Sequence, residues 1–216
     1  MKKFIRVRNI IIVIVVLIAI VYMALILSRN PNNSKTSKLY YKWVNQDVIT
    51  MKLEFKQGTQ KGTHTFSTDQ TKKKTIIVVD TYDDSEGSKK LNTTHMKSVT
   101  IMENGKTHVY QLNYELKTWK DMGESESTQD ITSWMEMPNQ VVSESKYFTK
   151  KSFIIDGKKV STEIFDEKQA YFGYTDGELV MYQTDDGMGA YDVTFDDKFI
   201  DKSLYEIPED FKQEIE

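Results

Sequence analysis

Hydrophobic and polar residues alternate with a period of two along much of the chain after residue 47. Apolar side chains occupy every second position of 49–55, and this strict alternation is typical of a strand with one buried and one solvated face. A weaker alternation over 63–68 and a more apolar run over 75–82 predict two further strands. The pattern therefore favours a mainly β domain.

Dipeptides that favour tight turns separate the later alternating stretches. Asn-Gly and Asp-Gly readily take the positive φ angles of a type I′ turn, which joins neighbouring antiparallel strands. Apolar residues alternate on both sides of these turns, so we expect an antiparallel meander. The four dipeptides are Asn104-Gly105, Asp156-Gly157, Asp176-Gly177 and Asp186-Gly187.

Two stretches depart from the strand pattern. Residues 39–46 are compatible with a short helix or with the start of a strand. Trp134 and Met135 follow Ile131 by three and four positions, which predicts a short amphipathic helix that Asp130 could cap.

The first part of the chain has a different character. Residues 10–27 are an uninterrupted apolar run that would span about 27 Å as a helix, close to the thickness of a bilayer core. A cleaved signal peptide is the alternative, but the run does not end in the small residues of a cleavage site. We therefore expect one uncleaved transmembrane helix, a signal anchor.

This expectation divides the chain into four parts. Residues 1–9 form a basic cytoplasmic segment, 10–27 the transmembrane anchor, 28–38 a polar tether and 39–216 an extracytoplasmic β domain. The protein would be located in a cell membrane as a single-pass protein, with its N-terminus in the cytoplasm and its C-terminal domain in the extracellular part of a bacterial cell envelope.

Charge and cysteine content exclude several classes of function. Seven of the 29 basic residues and none of the 32 acidic residues lie in 1–38, so the remainder carries about ten net negative charges. Such an acidic domain is unsuited to binding nucleic acid, whose phosphates require a positive surface. The 216 residues include no cysteine, which excludes disulfides and thiolate chemistry.

No motif points to catalysis, a metal or a cofactor. His64, His95 and His108 lack the spacing of metal-ligating histidines. Asp83 and Asp84 do not match the spacing of a calcium-binding loop. As adjacent residues of a strand they would point to opposite faces, so they do not form a pair of catalytic carboxylates. We therefore expect a protein that is not an enzyme and that binds no cofactor.

Methionine and aromatic residues form the candidate binding surface. They could simply be the core, or they could line an adaptable apolar cavity on the concave face, because methionine tolerates varied ligands. The candidates are Met51, Phe55, Tyr110, Tyr114, Trp134, Met135, Met137, Phe153, Tyr174 and Met181.

The C-terminal sequence carries a family resemblance. Ala190–Lys212, AYDVTFDDKFIDKSLYEIPEDFK, and the preceding strand-like Glu163–Gln183 resemble the end of the LolA/LppX-like (lipoprotein-carrier-like) superfamily of bacterial envelope proteins. The resemblance implies a curved antiparallel sheet, an incomplete β-barrel, with short helices on its concave face. It also implies that the protein carries or senses acyl chains or other apolar ligands. The chain departs from the lipoprotein members because it lacks the lipid-bearing cysteine.

These observations give two functional hypotheses. The first is a membrane-anchored extracytoplasmic domain, mainly β (α+β), that binds a hydrophobic ligand or lipid in a half-barrel cavity. The alternative is a non-enzymatic interaction or scaffold module that docks a partner protein in the cell envelope. The expected partners are the membrane, through the N-terminal helix, and either a lipid or other hydrophobic ligand or an envelope protein; nucleic acid is not expected.

Overall fold

The computed structural model describes residues 18, 20, 29–87, 90–126, 142–155, 157–165, 170–183 and 191–214. Besides 3₁₀ helices at Pro31–Asn33 and Lys202–Leu204, these residues form the helix α1, Lys35–Val44. Their strands are β1 Val48–Gln57, β2 Gln60–Asp69, β3 Lys74–Gly87, β4 Lys90–Glu103, β5 Lys106–Asn113, β6 Thr118–Glu126, β7 Phe148–Ile155, β8 Lys158–Phe165, β9 Ala170–Thr175, β10 Glu178–Gln183, β11 Tyr191–Asp196 and β12 Lys212–Gln213.

The strands form one twelve-stranded sheet in the order β12-β6-β5-β4-β3-β2-β1-β11-β10-β9-β8-β7. It consists of two meanders, β1–β6 and β7–β11, which join where β1 pairs with β11 in antiparallel register. Only the short β12 runs parallel to its neighbour, β6. The predicted antiparallel sheet is therefore confirmed.

The turn chemistry explains why successive strands pair. At the β4–β5 hairpin Asn104 and Gly105 have φ angles of 53° and 78°, and at the β9–β10 hairpin Asp176 and Gly177 have 51° and 94°. Positive values at both central residues define the type I′ turn that suits a twisted hairpin. Gly157 has the expected φ of 77°, whereas Asp156 and the Asp186-Gly187 pair lie outside the described residues.

The first hydrophobic core lies between α1 and the sheet. The Ser34 side chain caps α1 by accepting a hydrogen bond from the Ser37 N–H, and Trp43 stacks on Phe195 of β11 with ring centroids 4.0 Å apart. Of the two alternatives for 39–46, the helix is found. The remaining buried members are Ile49, Leu53, Val142, Phe148, Phe165, Ala170, Phe172, Tyr174, Leu179 and Val193.

A buried carboxylate fixes the first turn of α1 to this core. The oxygens of Glu163, on β8, accept hydrogen bonds from the N–H groups of Lys35 and Thr36 at 2.9 and 3.0 Å and from the Thr36 hydroxyl at 2.9 Å. A negative charge is favourable at a helix N-terminus. The Thr36 hydroxyl also lies 2.7 Å from the Tyr174 hydroxyl, whose pKa burial raises well above its usual value.

A second core forms on the opposite face of the sheet. Paired residues of neighbouring strands share a face, so Met51 and Phe66 lie on the α1 side, whereas Ser67 and Ile76 lie on the other side. Residues 197–211, the C-terminal segment, cover that other side. The second core contains Ile76, Val78, Val99, Tyr110, Leu112 and Ile200, with Ile101, Tyr114, Trp119, Phe199, Tyr205, Ile207 and Phe211 packed against it.

The predicted fold class requires correction. We expected short helices on one concave face, but the core beneath α1 lies on one face of β1 and β7–β11, and the C-terminal segment covers the opposite face of β3–β6. The sheet has two separate cores because both of its faces carry apolar residues, each over part of its width.

The expected transmembrane helix is also wrong. No helix among the described residues is long and apolar enough to cross a membrane. The longest continuous helix described, α1, has 10 residues and carries Lys35, Lys38 and Lys42, so it lacks both the length and the apolar surface of a span. Of the predicted anchor, 10–27, only Ile18 and Ile20 are described. The predicted membrane location, its topology and the membrane as a partner depended on that helix and are corrected with it.

Candidate functional site

A cavity of about 730 Å³ lies between the C-terminal segment and strands β1–β4 and β11. We refer to it as the C-terminal cavity. Its size falls within the range of small-molecule sites in proteins. Threonines supply hydroxyl groups, and the C-terminal segment and β3 supply apolar side chains. The threonines are Thr50, Thr63, Thr65 and Thr194, and the apolar side chains are those of Val78, Phe199, Ile200 and Leu204.

A chain of hydrogen bonds holds the C-terminal segment above the sheet. The Thr50 hydroxyl lies 2.6 Å from the Ser67 hydroxyl and donates to the Lys198 carbonyl at 2.7 Å. The Ser67 hydroxyl accepts a hydrogen bond from the Ile200 N–H at 2.9 Å. Ser67 is fully buried, so its interactions fix one wall of the cavity.

Asp80 and Lys97 are a charged pair in the wall of this cavity, and His95, which does not line the cavity, contacts Asp80. Asp80 Oδ1 lies 2.6 Å from His95 Nε2, and Asp80 Oδ2 lies 3.6 Å from Lys97 Nζ. The pairing of β3 with β4 sets this arrangement, because it places Lys97 opposite Asp80 and His95 opposite Tyr82. The Lys97 side chain is only 11% exposed, so its ammonium group is largely withdrawn from water.

Aromatic rings support the same cluster. The His95 ring is stacked between Tyr82 and Tyr114, with centroid distances of 4.1 and 3.9 Å. The Lys97 ammonium lies 5.1 Å from the Tyr114 ring centroid, a cation–π geometry. Burial, followed by the negative charge of Asp80, raises the pKa of the Tyr82 hydroxyl. These contacts hold Lys97 at one position in the cavity wall.

The carboxylates that line the cavity all have partners, whereas one of the lining lysines has no ion-pair partner among the described residues. Asp80 faces His95 and Lys97, Asp196 accepts from the Lys198 N–H at 3.0 Å, and Asp201 accepts from the Ser203 N–H and hydroxyl. The Lys198 ammonium makes no ion pair with a described residue. A negatively charged ligand group could therefore approach Lys198 and Lys97 while the carboxylates keep their present partners.

A second cavity of about 680 Å³ adjoins the first on the same face and shares Thr194 with it. Val160, Val180 and Met181 provide its apolar part. An ion pair between Lys52 and Glu54, 2.6 Å long and half-exposed, lies between the two cavities because Lys52 lines the first and Glu54 the second.

The structure places the predicted binding residues on both faces of the sheet. Pairing assigns one group to the α1 side and a second group to the opposite side. The first group is Met51, Phe55 and Tyr174, and the second is Tyr110, Tyr114, Phe153 and Met181. Trp134, Met135 and Met137 lie outside the described residues. Phe55 and Met181 line the second cavity, and none of the described candidates lines the C-terminal cavity.

Sequence reasoning missed the cluster of Asp80, His95 and Lys97. A usable signal was present, since each of β3 and β4 carries two polar or aromatic side chains two positions apart, Asp80 with Tyr82 and His95 with Lys97. Their convergence depends on the register of the long β3–β4 hairpin, which the sequence pattern left open. No group of three potential metal ligands occurs among the described residues.

Comparison with known proteins gives little information about function. No protein-family model matches the chain, and no curated protein sequence matches it. The chain is similar to the crystal structure of an uncharacterized conserved protein from Thermus thermophilus, with 9% identity and a TM-score of 0.37 over 83% of this chain and 96% of that one.

Proposed function

We propose that the protein binds an amphipathic small molecule, with an apolar body and an anionic group, in the C-terminal cavity. The observation that carries this proposal is the combination of an apolar wall with the largely buried Lys97 ammonium in one cavity of about 730 Å³. The proposal retains the hydrophobic ligand expected from the sequence and places it in a different part of the fold.

The apolar wall supports the first half of the proposal. Leu204 is 49% exposed, and Phe199 is half-buried beside it, so a ligand would remove apolar surface from water at both. Fully burying a leucine side chain contributes about 1.5–3 kcal/mol. The threonine hydroxyl groups on the opposite side can donate to polar atoms of the ligand.

The lysines support the second half. An ammonium group that is already withdrawn from water interacts with an anion more strongly than an exposed one does. The contacts with Asp80 and Tyr114 hold the Lys97 ammonium group in the cavity wall, and Lys198 lies on the facing C-terminal segment. A carboxylate is the simplest ligand group that satisfies both. Membership of the LolA/LppX-like superfamily remains a proposal consistent with such a ligand.

A fluorescent long-chain carboxylate such as dansylaminoundecanoate tests the apolar wall. With the full chain we expect saturable fluorescence enhancement that Leu204→Asp weakens about tenfold or more, because a charge replaces apolar contact. Leu116→Asp is the matched control, since Leu116 is an exposed leucine remote from the lining residues and should leave the affinity unchanged.

Charge reversal tests the anionic end. We expect Lys198→Glu to weaken binding of the carboxylate probe several-fold and to leave binding of the corresponding neutral alcohol nearly unchanged, whereas Lys158→Glu in the second cavity should affect neither. Equal effects of both lysine variants, or equal effects of both leucine variants, would contradict the proposed location.

A further inference from the structure

Strand β7, Phe148–Ile155, forms one end of the sheet and pairs with β8 alone among the described strands. The Phe148 N–H donates to the Arg29 carbonyl at 3.0 Å, so it points away from β8. Backbone direction alternates along an antiparallel strand. The N–H and C=O groups of Lys150, Ser152 and Ile154 therefore point outward along the same edge, which we call the β7 edge.

This edge has an exposed apolar end. The Ile154 side chain is 80% exposed and Phe153 is 42% exposed. Natural sheets usually protect such edges with bulges, cover or charge; Lys150 and Lys151 supply charge on β7, whereas Phe153 and Ile154 are apolar. The opposite end of the sheet shows this protection, because β12 pairs with the start of β6 and a register shift in the β5–β6 pairing, with Gly123 at a φ of 90°, interrupts the rest.

The same edge is basic in a chain that is otherwise acidic beyond residue 38. Strands β7 and β8 carry four lysines near the edge, two on each face according to the pairing. Only Lys150 has a carboxylate partner among the described residues, the buried Glu163 at 4.0 Å. The four are Lys150, Lys151, Lys158 and Lys159.

We propose that the β7 edge binds an extended segment of a partner protein by adding a strand to the sheet. Main-chain hydrogen bonds to Lys150, Ser152 and Ile154 would give affinity, and side chains would give specificity. Charge complementarity requires acidic residues of the partner opposite Lys150 and Lys151, and apolar residues opposite Phe153 and Ile154. A second copy of β7 fits poorly because it would concentrate lysines of both copies along the shared edge. This inference is independent of the cavity.

The test measures binding of a synthetic peptide to the full chain. The probe is acetyl-Thr-Val-Val-Thr-Glu-Glu-Thr-amide, whose antiparallel alignment places glutamates beside the lysines and valines beside the apolar end. One control peptide has lysines in place of the glutamates. A second control has methyl groups on the amide nitrogens that would donate to the edge, which removes its hydrogen bonds without changing its charge.

Substitutions test the same contacts from the protein side. Ser152→Pro deletes an outward N–H and leaves the β7–β8 hydrogen bonds in place, because proline is tolerated where the N–H faces away from the sheet. Loss of a hydrogen bond worth about 1 kcal/mol weakens binding about fivefold. Lys151→Glu should weaken binding at least as much and in a salt-dependent way, whereas the exposed Lys106→Glu on β5 should not.

The expected result is binding of the glutamate peptide alone, with both edge variants impaired and the thermal unfolding midpoint of each unchanged. Equal binding of the methylated peptide to the unaltered protein would overturn strand addition even if Ser152→Pro failed to fold. Two other outcomes would also overturn the proposal: slow amide exchange at Ser152 and Ile154 without peptide, which would show the edge already covered, and dimerisation through β7.

Discussion

Tyr110 illustrates how one buried side chain shapes the response of the protein to pH. Its ring lies in the second core and is 4% exposed. Burial, with smaller contributions from Tyr205 and Glu206, raises the pKa of its hydroxyl to about 12. Because the folded pKa lies above the unfolded value of about 10, the neutral hydroxyl stabilises the fold fully below pH 10, and this stabilisation is lost as pH rises through 12.

We therefore expect Tyr110→Phe to reduce the loss of stability between pH 10 and 12 by roughly 2–3 kcal/mol. Denaturant unfolding measured across this range checks the prediction, with the exposed Tyr41→Phe as the control. An unchanged alkaline transition in Tyr110→Phe would show that this hydroxyl does not couple ionisation to unfolding.

At the residue scale, the sequence pattern predicted which apolar side chains are buried better than it predicted which polar side chains contact each other. The alternation over 49–55 correctly assigned Ile49 and Leu53 to a buried face, because burial follows from strand period alone. The pairing of Asp80 with His95 and Lys97 could not be predicted in the same way, because it depends on which residues of two long strands face each other. Polar clusters of this kind arise from register, which short-range pattern does not determine.

Among the elements, the C-terminal segment depends on Ser67 for its position. Replacing Ser67 by alanine leaves the Ile200 N–H without its acceptor and removes one of the two hydrogen-bond partners of the Thr50 hydroxyl, which keeps the Lys198 carbonyl. We expect destabilisation of roughly 1–3 kcal/mol, faster amide exchange at Ile200 and weaker binding of the carboxylate probe, since the cavity wall is released.

Ser98→Ala provides the control for this change. Ser98 is a half-buried serine on β4, on the sheet face opposite to Ser67, and its replacement should change stability by no more than about 0.5 kcal/mol. If Ser67→Ala altered stability without affecting exchange at Ile200, the hydrogen bond would not be what holds the segment.

Local turn chemistry made the hairpins predictable, whereas the covering elements were not. Asn104-Gly105 and Asp176-Gly177 force a chain reversal by their own backbone preferences, so the strands beside them pair. The C-terminal segment contains little regular structure, and its position follows from contacts such as Phe211 against Tyr114, which are distant in sequence. Its sequence therefore carried a family resemblance but did not indicate which face of the sheet the segment covers.

For the molecule as a whole, the two cores explain why the candidate site lies where it does. The α1 helix covers part of one face, and the C-terminal segment covers part of the other, so open volume remains beside that segment. The prediction of a single concave face failed because alternation along a strand marks a buried side without stating which side neighbouring elements cover. The prediction of a transmembrane helix was drawn from the uninterrupted apolar run 10–27 and the absence of a cleavage site after it, and the described helices do not bear it out.

The most direct test of the central claim is to locate a bound amphipathic ligand on the full chain by photocrosslinking. A long-chain carboxylate bearing a diazirine near its apolar end would be irradiated with the protein, and the modified residues would be mapped by peptide mass spectrometry. We predict saturable labelling within 194–204 and on β3 near Val78, suppressed by unlabelled carboxylate and by Leu204→Asp. Labelling that is not competed, or that maps to the α1 side of the sheet, would contradict the account.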